Sequence, residues 1–203
     1  MQDGNIALMD ITKQYYKDNS KEFFDSTVIA EVSPLYERFL RYVPDSALIL
    51  DLGCGSGRDT KAFLNMGYKV DAVDGSKELC SLASRYTGVE VKCLDFTTID
   101  YKDRYDAIWA CASLLHISSQ KQPELFEKLR DSLQSEGIVY MSFKYGDFEG
   151  ERDGRFFLDM TSEKFHPILN QVSGLKLVEE WESEDVRRGK SVNWYNAILR
   201  KTV

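Results

Sequence analysis

The chain is poor in the side chains that usually announce metal or thiol chemistry. It has two histidines and four cysteines in 203 residues. Cys54, Cys80, Cys93 and Cys111 stand singly, with no C-x-x-C spacing. The pattern therefore predicts no metal site, and instead buried free thiols in a reducing cytoplasm. No secretory apolar region opens the chain, and no apolar run approaches the ~20 residues of a membrane span. The expected location is cytoplasmic, with no membrane partner. Basic residues are also in deficit, 26 against 33 acidic ones, for a net charge of −7. Phosphate contacts need basic surface, so a nucleic-acid partner is disfavoured; a local basic patch on an acidic protein keeps that class open. Internal repeats, low-complexity linkers and a second-domain boundary are all lacking. The length suits one α/β domain with modest additions, and an apolar content of 43% suffices for its core. Nothing in the pattern speaks to oligomeric state.

Against these absences, one stretch is dense with signal: Leu48-Ile-Leu-Asp-Leu-Gly-Cys-Gly-Ser-Gly-Arg-Asp-Thr60. An apolar run with an embedded acid reads as a buried strand. Gly53, Gly55 and Gly57 then form a tight loop, and a helix starts near Arg58. Such a loop lets a ligand approach bare backbone. The helix N-terminus behind it offers unpaired N–H groups to polar or anionic ligand atoms. The dinucleotide fingerprint G-x-G-x-x-G wants its third glycine where Arg58 stands, so a nicotinamide cofactor fits poorly.

Further stations follow in order. Lys69–Asp74 reads as a second strand after a helix that stops at Gly67, and its terminal acid lies at the distance from the loop where acids accept ribose hydroxyls. Val89–Leu94 alternates as a third strand, followed by Asp95-Phe96. Tyr105–Ala112 reads as a fourth. Asp51-x-Gly-x-Gly-x-Gly57 and these successors resemble motif I and the later stations of the class I S-adenosylmethionine-dependent methyltransferases, firmly over Ala47–Phe143. The overall layout and the Gly-Arg-Asp of the loop look most like small-molecule and tellurite-resistance-type methyltransferases. That resemblance implies S-adenosylmethionine as cofactor and S-adenosylhomocysteine as product. It assigns Asp51, Gly53, Cys54, Gly55, Gly57 and Arg58 to the cofactor loop. It assigns Asp74, with Gly75 and Ser76, to the ribose, and Asp95 and Phe96 to the adenine. Cys111, at the end of strand four, falls beside the methionine portion. Each acid also has a structural reading: Asp74 as a helix cap, Asp95 as a turn residue. Asp51, costly if unpaired in an apolar strand, either bonds the glycine loop or reaches the ligand's ammonium. Arg58 either makes a local salt bridge or meets the cofactor's carboxylate.

The resemblance and the alternating pattern predict a Rossmann-like α/β fold. Its seven-stranded sheet is mostly parallel and closes with an antiparallel hairpin (Leu175–Ser183, Ser191–Lys201). Helices cover both faces. Residues 1–46 form an N-terminal helical cap on a 47–203 domain. Ser33-Pro34 reads as a helix start, with Ser33 as cap. In related enzymes such a cap lids the cofactor with a tyrosine, so Tyr15 or Tyr16 is a candidate contact, with plain aromatic packing as the other reading. Helices are expected after Ser76, from Pro123 to a Gly137 turn, and over Thr161–Val172, where Pro167 should start, kink or split the element. Ile138–Phe143 is strand five.

The chemistry expected is in-line methyl displacement, in which the protein places the acceptor and excludes water. Strand four is followed by Ala110-Cys-Ala-Ser-Leu-Leu115, without the Asn/Asp-Pro-Pro-aromatic motif of nucleobase and glutamine amino-methylases or the Pro-Cys nucleophile of cytosine C5-methylases. His116 is the candidate general base, or a histidine bonded to backbone in the pocket wall; His166 reads as a surface residue. The Lys144–Arg155 segment, beyond strand five, is expected to be a loop over the acceptor site. Lys144, Tyr145, Arg152 and Arg155 either hold an anionic acceptor or pair with the acids of the same loop. Trp194, with Asp185, Arg187 and Arg188, forms a further candidate wall. The expected acceptor is a small molecule. The alternatives are RNA or protein methylation with a partner subunit, and a non-catalytic cofactor-binding regulatory module.

Overall fold

The computed structural model describes residues 3–186 and 192–202; Arg187, Arg188 and Ser191 lie outside them. One sheet organises the chain. Its strands are β1 (Leu48–Leu52), β2 (Lys69–Asp74), β3 (Val91–Cys93), β4 (Tyr105–Ala110), β5 (Leu133–Lys144), β8 (Leu175–Glu184) and β9 (Asn193–Lys201), in the spatial order β3-β2-β1-β4-β5-β9-β8. The first five are parallel, and β9 runs antiparallel to both β5 and β8. The order reverses between β1 and β4, so a crevice opens at the carboxyl ends of these two strands.

Strand pleat decides which helices go where. In β4, Ile108 and Ala110 face a cluster with Leu125, Phe126 and Leu129 of α6 (Gln122–Ser132) and Phe165 of α7 (Ser162–Leu169). Ala107 and Trp109 face the opposite cluster, with Tyr36 and Phe39 of α3 (Ser33–Leu40) and Phe63 of α4 (Arg58–Asn65). Burial on both faces explains why β1 reads as a nearly continuous apolar run. A smaller cluster joins Cys80 and Ala83 of α5 (Lys77–Thr87) to Cys54 and Val91. Two further helices, α1 (Asp3–Asp18) and α2 (Ser20–Thr27), precede α3. Among the described residues no helix is long and apolar enough to cross a membrane.

Several local expectations need correction. Ser33 is the first residue of α3 rather than its cap; Val32 occupies the cap position, and the Glu31 carboxylate instead binds the Ser33 amide and hydroxyl. Pro167 neither starts nor splits α7 but sits inside it, two residues before its end, leaving the Glu163 carbonyl without that helical amide. The turn expected at Gly137 is an irregularity within β5: Leu133 pairs with Tyr105 and Ile138 with Ala107, and Glu136 takes φ +63° between them. Cys93 is exposed and Cys111 half-buried, so only Cys54 and Cys80 are the buried thiols expected.

The largest correction concerns 144–155. It is not an open loop but leads into a hairpin of β6 (Glu149–Arg152) and β7 (Arg155–Leu158). Its two-residue turn, Asp153-Gly154, has φ of +54° and +71°, the conformation that Asp-Gly favours in tight hairpins. Phe156, Phe157 and Leu158 bury themselves in the main core. The amide of Phe156 donates to Thr12 Oγ1 at 3.0 Å, tying α1 to the hairpin.

Candidate active site

The glycine loop connects β1 to α4 under tight steric limits. A Cβ on Gly53, which has φ +82°, would stand 2.4 Å from Ser113 Cβ. Backbone crossing this close tolerates no side chain. The amides of Gly53 and Cys54 donate to the Val73 carbonyl at 2.9 and 3.0 Å, locking the loop against β2. Gly57 has a different reason: its Cβ would meet Thr87 Cγ2 at 2.7 Å and Ala83 Cβ at 3.1 Å, so it serves the packing of α5.

A cavity of about 900 Å³ opens beside this loop. Its wall includes Gly53, Cys54, Gly55 and Arg58 from the loop, Asp74, Gly75 and Ser76 after β2, and Asp95 and Phe96 after β3. Cys111 and His116 follow β4, Lys144 and Tyr145 follow β5, and Arg152, Arg155, Tyr16 and Trp194 complete the candidates brought together. Asp51 and Gly57 are not on the wall. Asp51 lies beneath the loop, 1% exposed, and accepts from Thr60 Oγ1 at 2.5 Å. The helix after the loop thus supplies a donor to one of its oxygens. Burial pushes its carboxyl well up, reinforced by the negative charge of Asp59.

Asp74 is buried and accepts from the Gly55 amide on one oxygen and the Ser76 amide on the other, both at 2.9 Å. Burial raises its carboxyl against the pull of these backbone donors. Each carboxylate oxygen can accept more than one hydrogen bond. Acceptor capacity on both oxygens at a cavity wall fits the vicinal hydroxyls of a ribose. Ser76 caps α5, its Oγ accepting from the Leu79 amide at 3.3 Å. Asp95 accepts from the Thr97 amide at 2.9 Å and hydroxyl at 2.7 Å, and its second oxygen pairs with Lys13 Nζ at 2.7 Å. Burial would raise this carboxyl, but the Lys13 and Thr97 bonds outweigh it and hold it low.

Of the two readings of Arg58, the structure shows the local pair. Its Nε and Nη2 reach Asp59 at 2.6 and 3.0 Å. Asp59 also accepts from Tyr36 Oη at 2.5 Å and Trp109 Nε1 at 2.8 Å. Burial raises this carboxyl, yet Arg58 and the other donors outweigh burial and hold it below the usual range. Four donors on two oxygens leave it a structural anchor joining α3, α4 and β4.

The far end of the cavity is built on strain and on aromatic faces. Ala112 takes φ +52°, uncommon for a residue with a side chain, and its amide donates to Ser142 Oγ at 2.8 Å. The His116 ring has both nitrogens engaged. Nδ1 lies 2.6 Å from the Phe156 carbonyl, which only accepts, so Nδ1 carries the proton; Nε2 then accepts from Tyr16 Oη at 2.9 Å. Burial pushes the imidazole down to about 4, with Arg155 and Lys144 adding to the effect, so it is neutral at pH 7. The Tyr16 hydroxyl is raised by burial, partly countered by the Arg155 charge. Arg152 pairs with Asp159 through two bonds of 2.8 and 3.1 Å. Trp194 Nε1 donates to Asp185 at 3.3 Å, and Tyr145 is exposed. Cys111 stays a thiol, pushed up to about 12 by burial and by the Asp59 charge.

Sequence reasoning missed Lys13, Asp59, Ser113, Ser142 and Asp159 on this wall, and gave Phe23 no role. The Phe23 ring covers the glycine loop, its Cε1 3.1 Å from where a Gly55 Cβ would stand. Asp59 alone had a local signal, directly after Arg58 at the start of an otherwise amphipathic helix.

Residues 49–137 match the sequence profile described as a methyltransferase domain. This segment is thus similar in sequence to a methyltransferase domain. It contains β1 to β4 with the glycine loop, Asp74 and Asp95, the part that resembles the class I enzymes in sequence. An uncharacterized protein of Methanocaldococcus jannaschii, MJ0906, is 35% identical over 106 residues, 48% of this chain and 28% of that protein. N-terminal Xaa-Pro-Lys N-methyltransferase 1 of Danio rerio is 32% identical over 98 residues, 44% of each. The matches thus span less than half the length of either relative. Among solved structures, the 1,6-didemethyltoxoflavin-N1-methyltransferase of Burkholderia thailandensis, with bound 1,6-didemethyltoxoflavin and S-adenosylhomocysteine, superposes with a TM-score of 0.73. That superposition covers 94% of this chain and 85% of the other at 22% identity. Residues 49–137 and the hairpin-closed sheet around them therefore have the class I methyltransferase fold.

Proposed function

We propose that the chain is an S-adenosylmethionine-dependent methyltransferase acting on a small molecule. One observation carries this reading: one cavity of about 900 Å³ is lined both by Gly53, Asp74 and Asp95 and by His116, Lys144 and Arg155. The volume lies at the upper end of small-molecule sites, roughly 300–1,000 Å³, enough for a nucleoside cofactor and a second small molecule together. In this reading Asp74 takes the ribose hydroxyls, and Asp95 and Phe96 flank the adenine. The loop around Gly53 and Gly55, with Cys111 after β4, holds the methionine portion. Bound there, S-adenosylmethionine supplies an electrophilic methyl group and leaves as S-adenosylhomocysteine.

The chain's own part is placement, exclusion of water and proton handling. Residues 1–46 act as a cap on the 47–203 domain: Tyr16 and Phe23 close over the site, and Lys13 fastens α1 to Asp95. His116 presents its Nε2 lone pair toward the cavity, bonded to Tyr16, and can take a proton from an acceptor that displaces the phenol. An acceptor reached beneath such a cap is small, which favours this reading over RNA or protein methylation. The test is calorimetric titration of wild type and Asp74→Ala with S-adenosylmethionine, S-adenosylhomocysteine and NAD. Binding of the two sulfur ligands alone, weakened in the variant, supports the reading; binding of NAD, or of nothing, overturns it.

A further inference from the structure

Resting on the methyltransferase reading, we propose that the acceptor is an anion, whose carboxylate or phosphate group is held between Lys144 and Arg155. These two cations share one aromatic ring on the cavity wall. Lys144 Nζ lies 4.0 Å from the Phe157 ring centroid and the Arg155 guanidinium carbon 5.0 Å from it. Arg155 also lies over Tyr15 at 4.1 Å. Ring faces attract cations without neutralising them, so both positive charges still lack a counter-charge.

The neighbouring arginine differs in having a counter-charge, although its Nε, like that of Arg155, is buried without a hydrogen-bond partner among the described residues. Arg152 covers the same ring at 4.7 Å, but it is held bidentately by the buried Asp159. Among the described residues, neither Lys144 nor Arg155 makes an ion pair, although the chain carries 33 acidic side chains. Of the acids on the same wall, Asp159 is taken by Arg152 and Asp185 accepts from Trp194, while Asp153 and Glu184 line the cavity without an ion pair to either cation among the described residues. His116 contributes no negative charge, and its bonds to Phe156 and Tyr16 are complete. Arg155 Nε is buried with no hydrogen-bond partner. A buried donor on a guanidinium is costly to leave unmade, and the planar fork matches carboxylate or phosphate oxygens.

The electrostatics agree. The Lys144 ammonium is pulled down by burial and then by Arg152 and Arg155, a crowding of like charge that Asp159 and Asp153 offset only in part. A sulfonium cofactor in the adjoining compartment would add to that excess. An anionic acceptor removes it, and so binds best with the cofactor site filled.

The test titrates benzoate, phenyl phosphate and neutral benzamide by ligand-observed NMR, with and without saturating S-adenosylhomocysteine. Wild type is compared with Lys144→Gln, Arg155→Gln and the charge-preserving Arg155→Lys, each checked by circular dichroism. The expected result is binding of at least one anion ten-fold or more tighter than benzamide, lost at least ten-fold in both glutamine variants and largely retained in Arg155→Lys. Preference between the two anions identifies the group as carboxylate or phosphate. Equal binding of benzamide, no binding of either anion, or anion affinity unchanged in the glutamine variants overturns the proposal. If S-adenosylhomocysteine fails to bind while the anion pattern holds, the methyltransferase reading falls and the anion site stands; the reverse pattern removes only the anion site.

Discussion

Tyr16 donates its hydroxyl to His116 Nε2 across 2.9 Å, joining residues 100 positions apart. The Phe156 carbonyl behind the ring holds its other nitrogen as N–H. This fixes one tautomer and aims the basic nitrogen at the cap. A neutral imidazole with an oriented lone pair is suited to proton removal, and the bond that orients it is one an incoming acceptor must replace.

A pH dependence follows from the same ring. His116 in the unfolded chain titrates near 6.5, while in the folded protein burial holds it to about 4. The unfolded state therefore binds the extra proton first. The stability contributed is full above pH 6.5 and is lost as pH falls toward 4. Urea unfolding of wild type and His116→Gln at pH 7 and pH 5 checks this. The advantage of wild type over the variant should shrink at pH 5; a constant gap would remove the argument.

Asp59 predicts a second effect. Tyr36→Phe and Trp109→Phe each delete one donor to a buried carboxylate. Each should cost about 1–3 kcal/mol in denaturant unfolding. The double variant should deviate from additivity, because both donors serve one group.

The glycine loop gives a third. Gly53→Ala adds a methyl group 2.4 Å from Ser113 Cβ at φ +82°. The left-handed backbone alone costs roughly 1–2 kcal/mol, and the steric overlap adds to it. Gly67→Ala serves as comparison: φ is +91° but the space around it is open, so only the backbone cost applies. Thermal melts should rank Gly53→Ala as clearly the less stable of the two.

Lys13 and Asp95 supply the fourth. The pair is partly exposed, with side-chain exposures of 42% and 24%. Its contribution to stability should stay below about 1 kcal/mol. Its larger effect should appear in the cap: Lys13→Ala is expected to release S-adenosylhomocysteine faster, measured by stopped-flow displacement, with little change in melting temperature. Unchanged release would show that the cap is held by its aromatic contacts instead.

The local signals were legible because adjacent residues write them. The apolar run Leu48–Leu52, the three glycines and the acid ending β2 each follow from chain-local sterics and periodicity, and together they implied the class I methyltransferase fold. So did the closing hairpin, where β8 and β9 pair as expected. The β6–β7 hairpin was also written locally, in Asp153-Gly154, but the surrounding charges made the segment read as a loop; the burial of Phe156 and Phe157 is what turns it into a strand pair.

What the sequence by itself determined, then, is the order of the helices and of the seven strands of the main sheet, and the backbone shape at the glycine loop, since these depend on neighbours in the chain. Tertiary structure alone decided which charges meet. Lys13 reaches Asp95 across 82 residues and Tyr36 reaches Asp59 across 23. Arg152 found Asp159, and Lys144 and Arg155 were left on the face of Phe157. Electrostatic pairing depends on distance in space and on burial, and neither is set until the sheet and its helices have packed.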